Sequence, residues 1–492
     1  MNAPATSVDV LVIGAGFGGI GMALQLQRHG RPDFLVVEQD AGVGGTWWAN
    51  RYPGAACDIP SVLYSFSFAP NPHWTRRYPG QSEIEAYLNR CVDAHGLRPQ
   101  LRLGTRVTGM RWDEARARWQ VEAERVSDGQ HVAFDARVVV AATGGLSRPS
   151  QPAIDGLERF GGLACHTARW DDRIGVPGQR VGVIGTGASA IQVVPQLVAR
   201  GVQLALFQRS APWVIPRGDA PVSDAERRRR ARWPLWLALQ RAATYCRYEL
   251  RAPAFTRWPS LLRRMEPWAL RHLQRQVPPG PLRDALTPRY RIGCKRILIA
   301  DDYYPALQQP NARLVTDPIE RIEPRGVRTR DGRLHELDAL VLATGFDAAE
   351  IAPPFPVAGR GGATLADAWR HGPRAYLGST VPGFPNLFML VGPNAGLGHN
   401  SIVVVIEAQL RYVLDALGQL DRRRARAADL SPEAMLAFDR ELAARMPRTV
   451  WATGCRSWYH TRDGRITTLW PGSTIELRLR TRRFDAQRYR FL

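Results

Sequence analysis

Two glycine-rich turns of one design limit what this chain can fold into more than any other feature. The first, Gly14-Ala15-Gly16-Phe17-Gly18-Gly19, follows the apolar run Val8 to Ile13. The second, Gly185-Thr186-Gly187-Ala188-Ser189-Ala190, follows Val181 to Ile184. Each reads as a buried strand, a tight turn and the opening of a helix. Without side chains the backbone can approach a pyrophosphate, whose charge then sits at a helix N-terminus. One such turn is weak evidence; two, each between a strand and a helix, imply two dinucleotides.

The residue closing the next strand tells the two turns apart. Phe34 to Val37 ends at Glu38, 24 residues past Gly14, and Val202 to Phe207 leads to Gln208-Arg209, with Arg209 24 residues past Gly185. A carboxylate accepts hydrogen bonds from ribose hydroxyls and repels a 2′-phosphate, whereas a guanidinium attracts one. The expected cofactors are therefore FAD at the first turn and NADPH at the second. The first unit would use Gly14, Gly16, Phe17, Gly19 and Glu38. The second would use Gly185, Thr186, Gly187, Ala188, Ser189, Ala190, Arg209 and Ser210.

The fold class this implies is α/β, with two Rossmann-like dinucleotide-binding domains and a helical insertion. Ala142-Thr143-Gly144 and Ala343-Thr344-Gly345 each close an apolar run and read as the two crossings between the domains. The expected division is an FAD domain in two parts, 1–148 and 342–492, around an NADPH domain of 149–341. Within the latter, Asp219 to Val277 departs from the α/β pattern, and the insertion is placed at about 219–290. It carries Arg227-Arg228-Arg229-Arg230 and the tryptophans Trp233, Trp236, Trp258 and Trp268. These tryptophans are expected to pack as a lid over the active site; the alternative is an amphipathic surface for anionic lipid, and with it a peripheral membrane-binding flavoprotein. Ser431-Pro432-Glu433 marks a helix start near the C-terminus.

Composition narrows the setting. A chain of 492 residues with 45% apolar content can bury two or three full cores. No apolar run reaches the roughly 18 residues of a membrane span, and the first strand begins too early for a signal peptide. A cytoplasmic protein, monomeric or weakly homo-oligomeric, is expected. The six cysteines are scattered without a CxxC pair, which argues against a metal site or a disulfide framework. The net charge of +21 is spread along the chain with no nucleic-acid-binding motif, so no nucleic-acid partner is expected. Of the 66 cationic residues only Lys295 is lysine.

After the first unit, where flavin disulfide reductases carry a Cys-x4-Cys pair, the chain has the single Cys57. The electrons must go elsewhere, and molecular oxygen is the obvious acceptor. Here the chain resembles the type I Baeyer–Villiger monooxygenases of the flavin-containing monooxygenase superfamily. Their pattern Gly-x-Trp-x4-Tyr/Phe-Pro-Gly-x3-Asp is met by Gly45, Trp47, Tyr52, Pro53, Gly54 and Asp58. Their signature Phe-x-Gly-x3-His-x3-Trp-Pro/Asp is met by Phe160, Gly162, His166, Trp170 and Asp171. The resemblance implies an NADPH-consuming oxidation of a ketone by O2 to an ester or lactone, through a peroxide at flavin C4a. The alternative within the superfamily is oxygenation of sulfur or nitrogen.

The resemblance also implies roles. In Gly293-Cys294-Lys295-Arg296 the lysine would contact the 2′-phosphate and Arg296 would sit beside the flavin as a permanent cation. Asp58 would pair with Arg296; otherwise it is a turn aspartate after Pro53-Gly54. Further flavin-site contacts are expected at Gly45, Thr46, Trp47, Asp58, Tyr64 and Val107. The stretch Gly392-Pro393-Asn394 to Ser401 would aim a helix N-terminus at the flavin. Gly454-Cys455-Arg456-Ser457-Trp458-Tyr459 resembles the segment that folds over NADP⁺, with Trp458 on the nicotinamide ribose. Ile466 stands where the family usually has Asn. His166 is expected to act as a hinge near the domain junction, and His460 as a solvated loop residue.

Overall fold

The computed structural model describes residues 5–146, 148–347, 353–455, 457–461 and 463–492. Two sheets organise it, and the sequence explains why both are largely parallel. Their central strands are continuous apolar runs, the pattern of a sheet covered on both faces. The larger, eight-stranded sheet runs Val357–Ala358, Thr105–Asp113, Arg118–Arg125, His131–Ala141, Thr6–Ile13, Phe34–Val37 and Leu101–Arg102, with Leu387–Met389 also on His131–Ala141. The second is a five-stranded, wholly parallel sheet: Ala312–Val315, Gln203–Phe207, Arg180–Ile184, Ala339–Leu342 and Leu163–His166.

The two glycine turns are built alike. In the first, the N–H of Gly14 donates to Val37 O at 2.7 Å and that of Ala142 to Ile13 O at 2.8 Å. In the second, Gly185 donates to Phe207 O at 3.2 Å and Ala343 to Ile184 O at 2.9 Å. A Cβ on Gly14 would lie 2.5 Å from Ala142 O, and one on Gly185 would lie 2.4 Å from Ala343 O. Both glycines have positive φ, +107° and +113°. Each turn is thus pressed beneath the loop where the chain leaves one sheet for the other: His131–Ala141 is followed by Leu163–His166 of the second sheet, and Ala339–Leu342 by Val357–Ala358 of the first.

The helices that follow, Phe17–Arg28 and Ala188–Ala199, have glycine N-caps with no side-chain cap, so their first N–H groups face outward unsatisfied. Gly19 lies one turn into the first helix, where a Cβ would meet Gly14 O at 1.7 Å. It is the contact that lets helix and strand pack closely. Between Val214–Ile215 and its parallel partner Leu298–Ile299 runs a helical excursion: Asp224–Arg232, Pro234–Glu249, Ala252–Thr256, Glu266–Gln276 and Pro281–Ala285. Near the C-terminus, helix Pro432–Arg445 opens with Ser431 Oγ accepting the Ala434 N–H at 3.1 Å.

Replacing Gly19 by Ala should lower stability by about 1–3 kcal/mol, because the clash is with backbone. Gly187→Ala, which has no atom within 4 Å of the added carbon, should change it by less than about 0.5 kcal/mol. Thermal unfolding of the two variants would check the difference; equal midpoints would contradict the packing described.

Candidate active site

A single large cavity, about 1590 Å³, is lined by both glycine turns. That exceeds the roughly 300–1,000 Å³ of a pocket for one small ligand. From the first unit it takes Gly14, Gly16, Phe17, Glu38, Gly45, Thr46, Trp47, Asp58, Tyr64 and Val107. From the second it takes Gly185, Thr186, Gly187, Ala188, Ser189, Arg209 and Ser210, together with Lys295, Arg296 and Trp458. Gly19 and Ala190, expected as contacts, do not reach it. Both are buried on the inward side of their helices, so each serves helix–strand packing instead.

The cavity wall fits a dinucleotide at each turn. Gly16 and Gly187 present bare backbone to it, and a Cβ on Gly187 would meet nothing within 4 Å. Glu38 is fixed by two backbone donors, the Ala15 N–H to Oε2 at 2.7 Å and the Asp40 N–H to Oε1 at 2.9 Å. Each oxygen keeps a lone pair for a hydroxyl. Burial raises the carboxyl above its usual pKa, and the two N–H groups oppose that shift. At the second turn Lys295 Nζ donates to Ser210 Oγ at 3.0 Å and lies 4.7 Å from the Tyr290 ring centre. Burial, and then the charge of Arg209, lower the lysine below its usual pKa. Two cations crowding one wall make a seat for an anion, which would relieve both.

Arg296 is anchored from across the cavity. Its Nε donates to Asp58 Oδ2 at 2.7 Å and its Nη2 lies 2.5 Å from the same oxygen. The Asp58 charge, outweighing desolvation, holds the guanidinium well above its usual pKa. It therefore remains a cation at any working pH. The arm bearing Lys295 and Arg296 is pinned by the adjoining strand pair, where Leu298 donates to Trp213 O at 2.9 Å and Ala300 to Ile215 O at 3.1 Å. Asp301, next on the chain, caps a turn by accepting the Arg217 and Gly218 N–H groups, each at 2.9 Å. Cys57, beside Asp58, is buried; desolvation raises its thiol far above the usual value, so it holds its proton.

The tail segment approaches the same arm. Ser457, Trp458 and Tyr459 line the cavity, and Trp458 packs against Tyr459 with ring centres 4.7 Å apart. Tyr459 is buried against Arg296, which opposes the rise that burial imposes on its phenol. Arg456 lies outside the described residues. Asn394 staples the stretch beyond: its N–H donates to Thr467 O at 2.7 Å, and its side chain to Ile466 O at 3.3 Å and Leu469 O at 3.0 Å. The contact with Ile466 is through its backbone, while its side chain packs against the apolar cluster that includes Trp451 and Tyr459. Asn400 and Ile402, at the start of helix Ile402–Arg422, line the cavity, and Ser401 caps that helix. His166 Nδ1 accepts the Ala168 N–H at 3.1 Å, which leaves Nε2 to donate to Gly345 O at 2.9 Å, at a crossing loop. His460 is half-buried, with Nδ1 3.1 Å from Ser457 Oγ.

Two expectations fail here. Cys294 and Cys455 form a disulfide across 161 residues. Spacing carried no sign of it, because the two cysteines meet only when the tail folds onto the Lys295–Arg296 arm. Nor do the insertion's tryptophans cover the site: no residue from 219–277 lines the cavity, and Trp233, Trp258 and Trp268 are 59%, 52% and 40% exposed. Sequence reading also missed Gln192. It sits on the second unit's helix, accepts the Tyr52 hydroxyl at 2.8 Å and donates to Ala56 O at 2.9 Å, clamping the Tyr52–Asp58 loop to the other unit. No local motif marks such a contact.

Fold and site together define an oxidoreductase with two dinucleotide-binding units facing one reaction chamber. A family model described as pyridine nucleotide-disulphide oxidoreductase matches residues 11–223. A Baeyer–Villiger monooxygenase of Pseudomonas aeruginosa is 44% identical, the match covering 99% of this chain and 92% of that protein. One from Streptomyces coelicolor is 46% identical over 99% of this chain and 93% of its own length. Among solved structures, an oxidized steroid monooxygenase bound to NADP superimposes with a TM-score of 0.87 at 33% identity, covering 99% of this chain and 100% of that one. The OTEMO complex with FAD and NADP gives a TM-score of 0.88 at 27% identity, with 99% and 100% covered. The chain belongs to the Baeyer–Villiger monooxygenase family.

Because the disulfide ties the tail to the arm bearing Lys295 and Arg296, its reduction should free the tail locally. Trypsin should then cut after Arg465 severalfold faster in dithiothreitol, and Cys455→Ser should reproduce the rate without reductant. An unchanged rate would show that packing alone holds the segment.

Proposed function

We propose that the chain is an FAD-dependent, NADPH-consuming monooxygenase that inserts one oxygen atom of O2 beside a ketone carbonyl. Ketone, O2, NADPH and a proton go to ester or lactone, NADP⁺ and water. The observation that carries this reading is the Arg296–Asp58 pair, facing a chamber that both glycine turns share. FAD, when bound, supplies the oxygen-activating chemistry, and NADPH the hydride. The larger sheet's unit is the FAD domain and the five-stranded sheet's unit the NADPH domain, with a cytoplasmic setting.

The chain's own residues bind, orient and neutralise. The free N–H groups at the start of helix Phe17–Arg28 receive the FAD pyrophosphate, and Glu38 accepts from its ribose. Arg209, Lys295 and Ser210 hold the 2′-phosphate of NADPH, a dianion that two crowded cations suit. Asp58 keeps Arg296 oriented, and the guanidinium stabilises the negative charge that develops as the ketone carbonyl is attacked. A charge that never titrates offers this at any pH without reorganising. Trp458 and Tyr459 close the chamber on that side and exclude water. His166, linking the two units at Gly345, is a hinge point.

Arg296→Ala should cut ketone oxygenation by about 10²–10³-fold, the usual loss when one preorganised charge is removed, while NADPH still bleaches the flavin. NADPH consumed should then appear as hydrogen peroxide, with ester followed by gas chromatography. Wild-type ester yield would overturn the assignment. Arg209→Ala and Lys295→Ala should raise the NADPH KM about tenfold or more and leave the NADH KM nearly unchanged. Full retention of the preference for NADPH would show that the 2′-phosphate is read elsewhere.

A further inference from the structure

The insertion that fails to cover the chamber has its own pattern, and it points outward. Along helix Pro234–Glu249 and its C-cap, the exposed positions include Leu235, Ala238, Leu239, Ala242, Cys246 and Leu250, which recur at helical spacing, with Pro234, Ala243 and Arg247 exposed beside them. Those six make one apolar stripe, and Arg247 is the one charged residue exposed along this helix. Leu235, Leu239 and Leu250 are 72%, 56% and 82% exposed. The opposite side of the helix turns a polar group inward: Arg241 donates to Val62 O at 3.1 Å and Ser65 O at 2.7 Å and pairs with Glu407 at 3.4 Å. That inner side also buries Leu237 and Tyr248, so the helix carries apolar residues on both its buried and its solvent-facing sides.

The stripe does not stand alone. Helix Thr474–Arg480 is fastened beside it, with Ile475 N–H donating to Glu249 Oε1 at 3.0 Å and Tyr245 Oη 3.0 Å from Thr474 Oγ1. It adds Ile475 and Leu479, 50% and 65% exposed. Trp233 precedes the stripe at 59% exposure. From 224 to 276 the sequence carries thirteen arginines against four acids. Glu249 among the acids, bonded to Asn400 at 2.7 Å, and Arg230 and Arg241 among the arginines are held inward, which leaves eleven arginines against three acids.

We propose that this face is a docking surface for an anionic phospholipid membrane, bound peripherally. Leucine and tryptophan side chains would enter the acyl boundary, and the arginines would meet lipid phosphates. No helix among the described residues is long and apolar enough to cross a membrane, so the attachment is by this face. A second copy of the chain is the poorer occupant, because two rims this basic repel each other across a contact. The proposal does not depend on the chemistry in the chamber.

Cys246 lies within the stripe and is the only exposed free cysteine, since Cys57, Cys91 and Cys165 are buried and the other two are bonded. The full-length protein labelled there with an environment-sensitive maleimide dye reports burial directly. With vesicles of phosphatidylcholine containing about one-third phosphatidylglycerol, dye emission should shift to the blue. The bound fraction on sedimentation should exceed that with phosphatidylcholine alone by about tenfold, and salt should reverse it. The double variant Leu235→Glu/Leu239→Glu, altered only at exposed positions, should stay folded by circular dichroism and lose binding about tenfold or more. Absence of a dye shift with anionic vesicles, or binding that survives the double variant, overturns the proposal. A wild-type dimer in sedimentation velocity that the double variant abolishes, without vesicle binding, assigns the face to a second copy instead.

Discussion

The closeness of Gly14 and Gly185 to the carbonyls of Ala142 and Ala343 is the constraint on which the rest depends. At each turn, backbone from two parts of the chain meets where a methyl group would not fit. That contact sets the helix N-terminus at the chamber wall and places the crossing loop over it. Repeated in both units, it brings the two anion-receiving turns to one cavity. A pair of cofactors can then exchange electrons without either leaving its own unit.

Charge does the remaining positioning, and the two sites handle it in opposite ways. Arg296 is matched by Asp58, so its cation is kept and held still. Burial, and then the charge of Arg209, lower the affinity of Lys295 for its proton, and no carboxylate pairs with that lysine among the described residues. Adjacent residues on one arm thus meet opposite surroundings. Residue type separates them, and so does the neighbour each meets, Asp58 for Arg296 and Arg209 for Lys295. The Cys294–Cys455 bond then draws the tail, with Trp458 and Tyr459, onto this arm.

The insertion shows how a strong composition can be misread. Tryptophan and arginine at helical spacing suggested a lid over the chamber. In the structure the apolar stripe of Pro234–Glu249 faces away from it, and the helix is held down by Arg241 on backbone carbonyls and by Glu249 on Asn400 and Ile475. Which side of a helix turns inward depends on the partners waiting there, and those lie far along the chain.

By itself, the sequence determined the two strand–turn–helix units, the α/β class, the opposite charges at Glu38 and Arg209, and the family, because each is written in residues close together or in motifs with set spacing. Steric demands on a glycine turn are local, so they survive in a string of letters. Tertiary structure alone decided that Gly19 and Ala190 pack rather than line the chamber and that Gln192 clamps the Tyr52–Asp58 loop. It also decided that Cys294 finds Cys455 and that the insertion's leucines face solvent. Each of these rests on contacts between residues made neighbours only by folding, and no spacing along the chain records such a meeting.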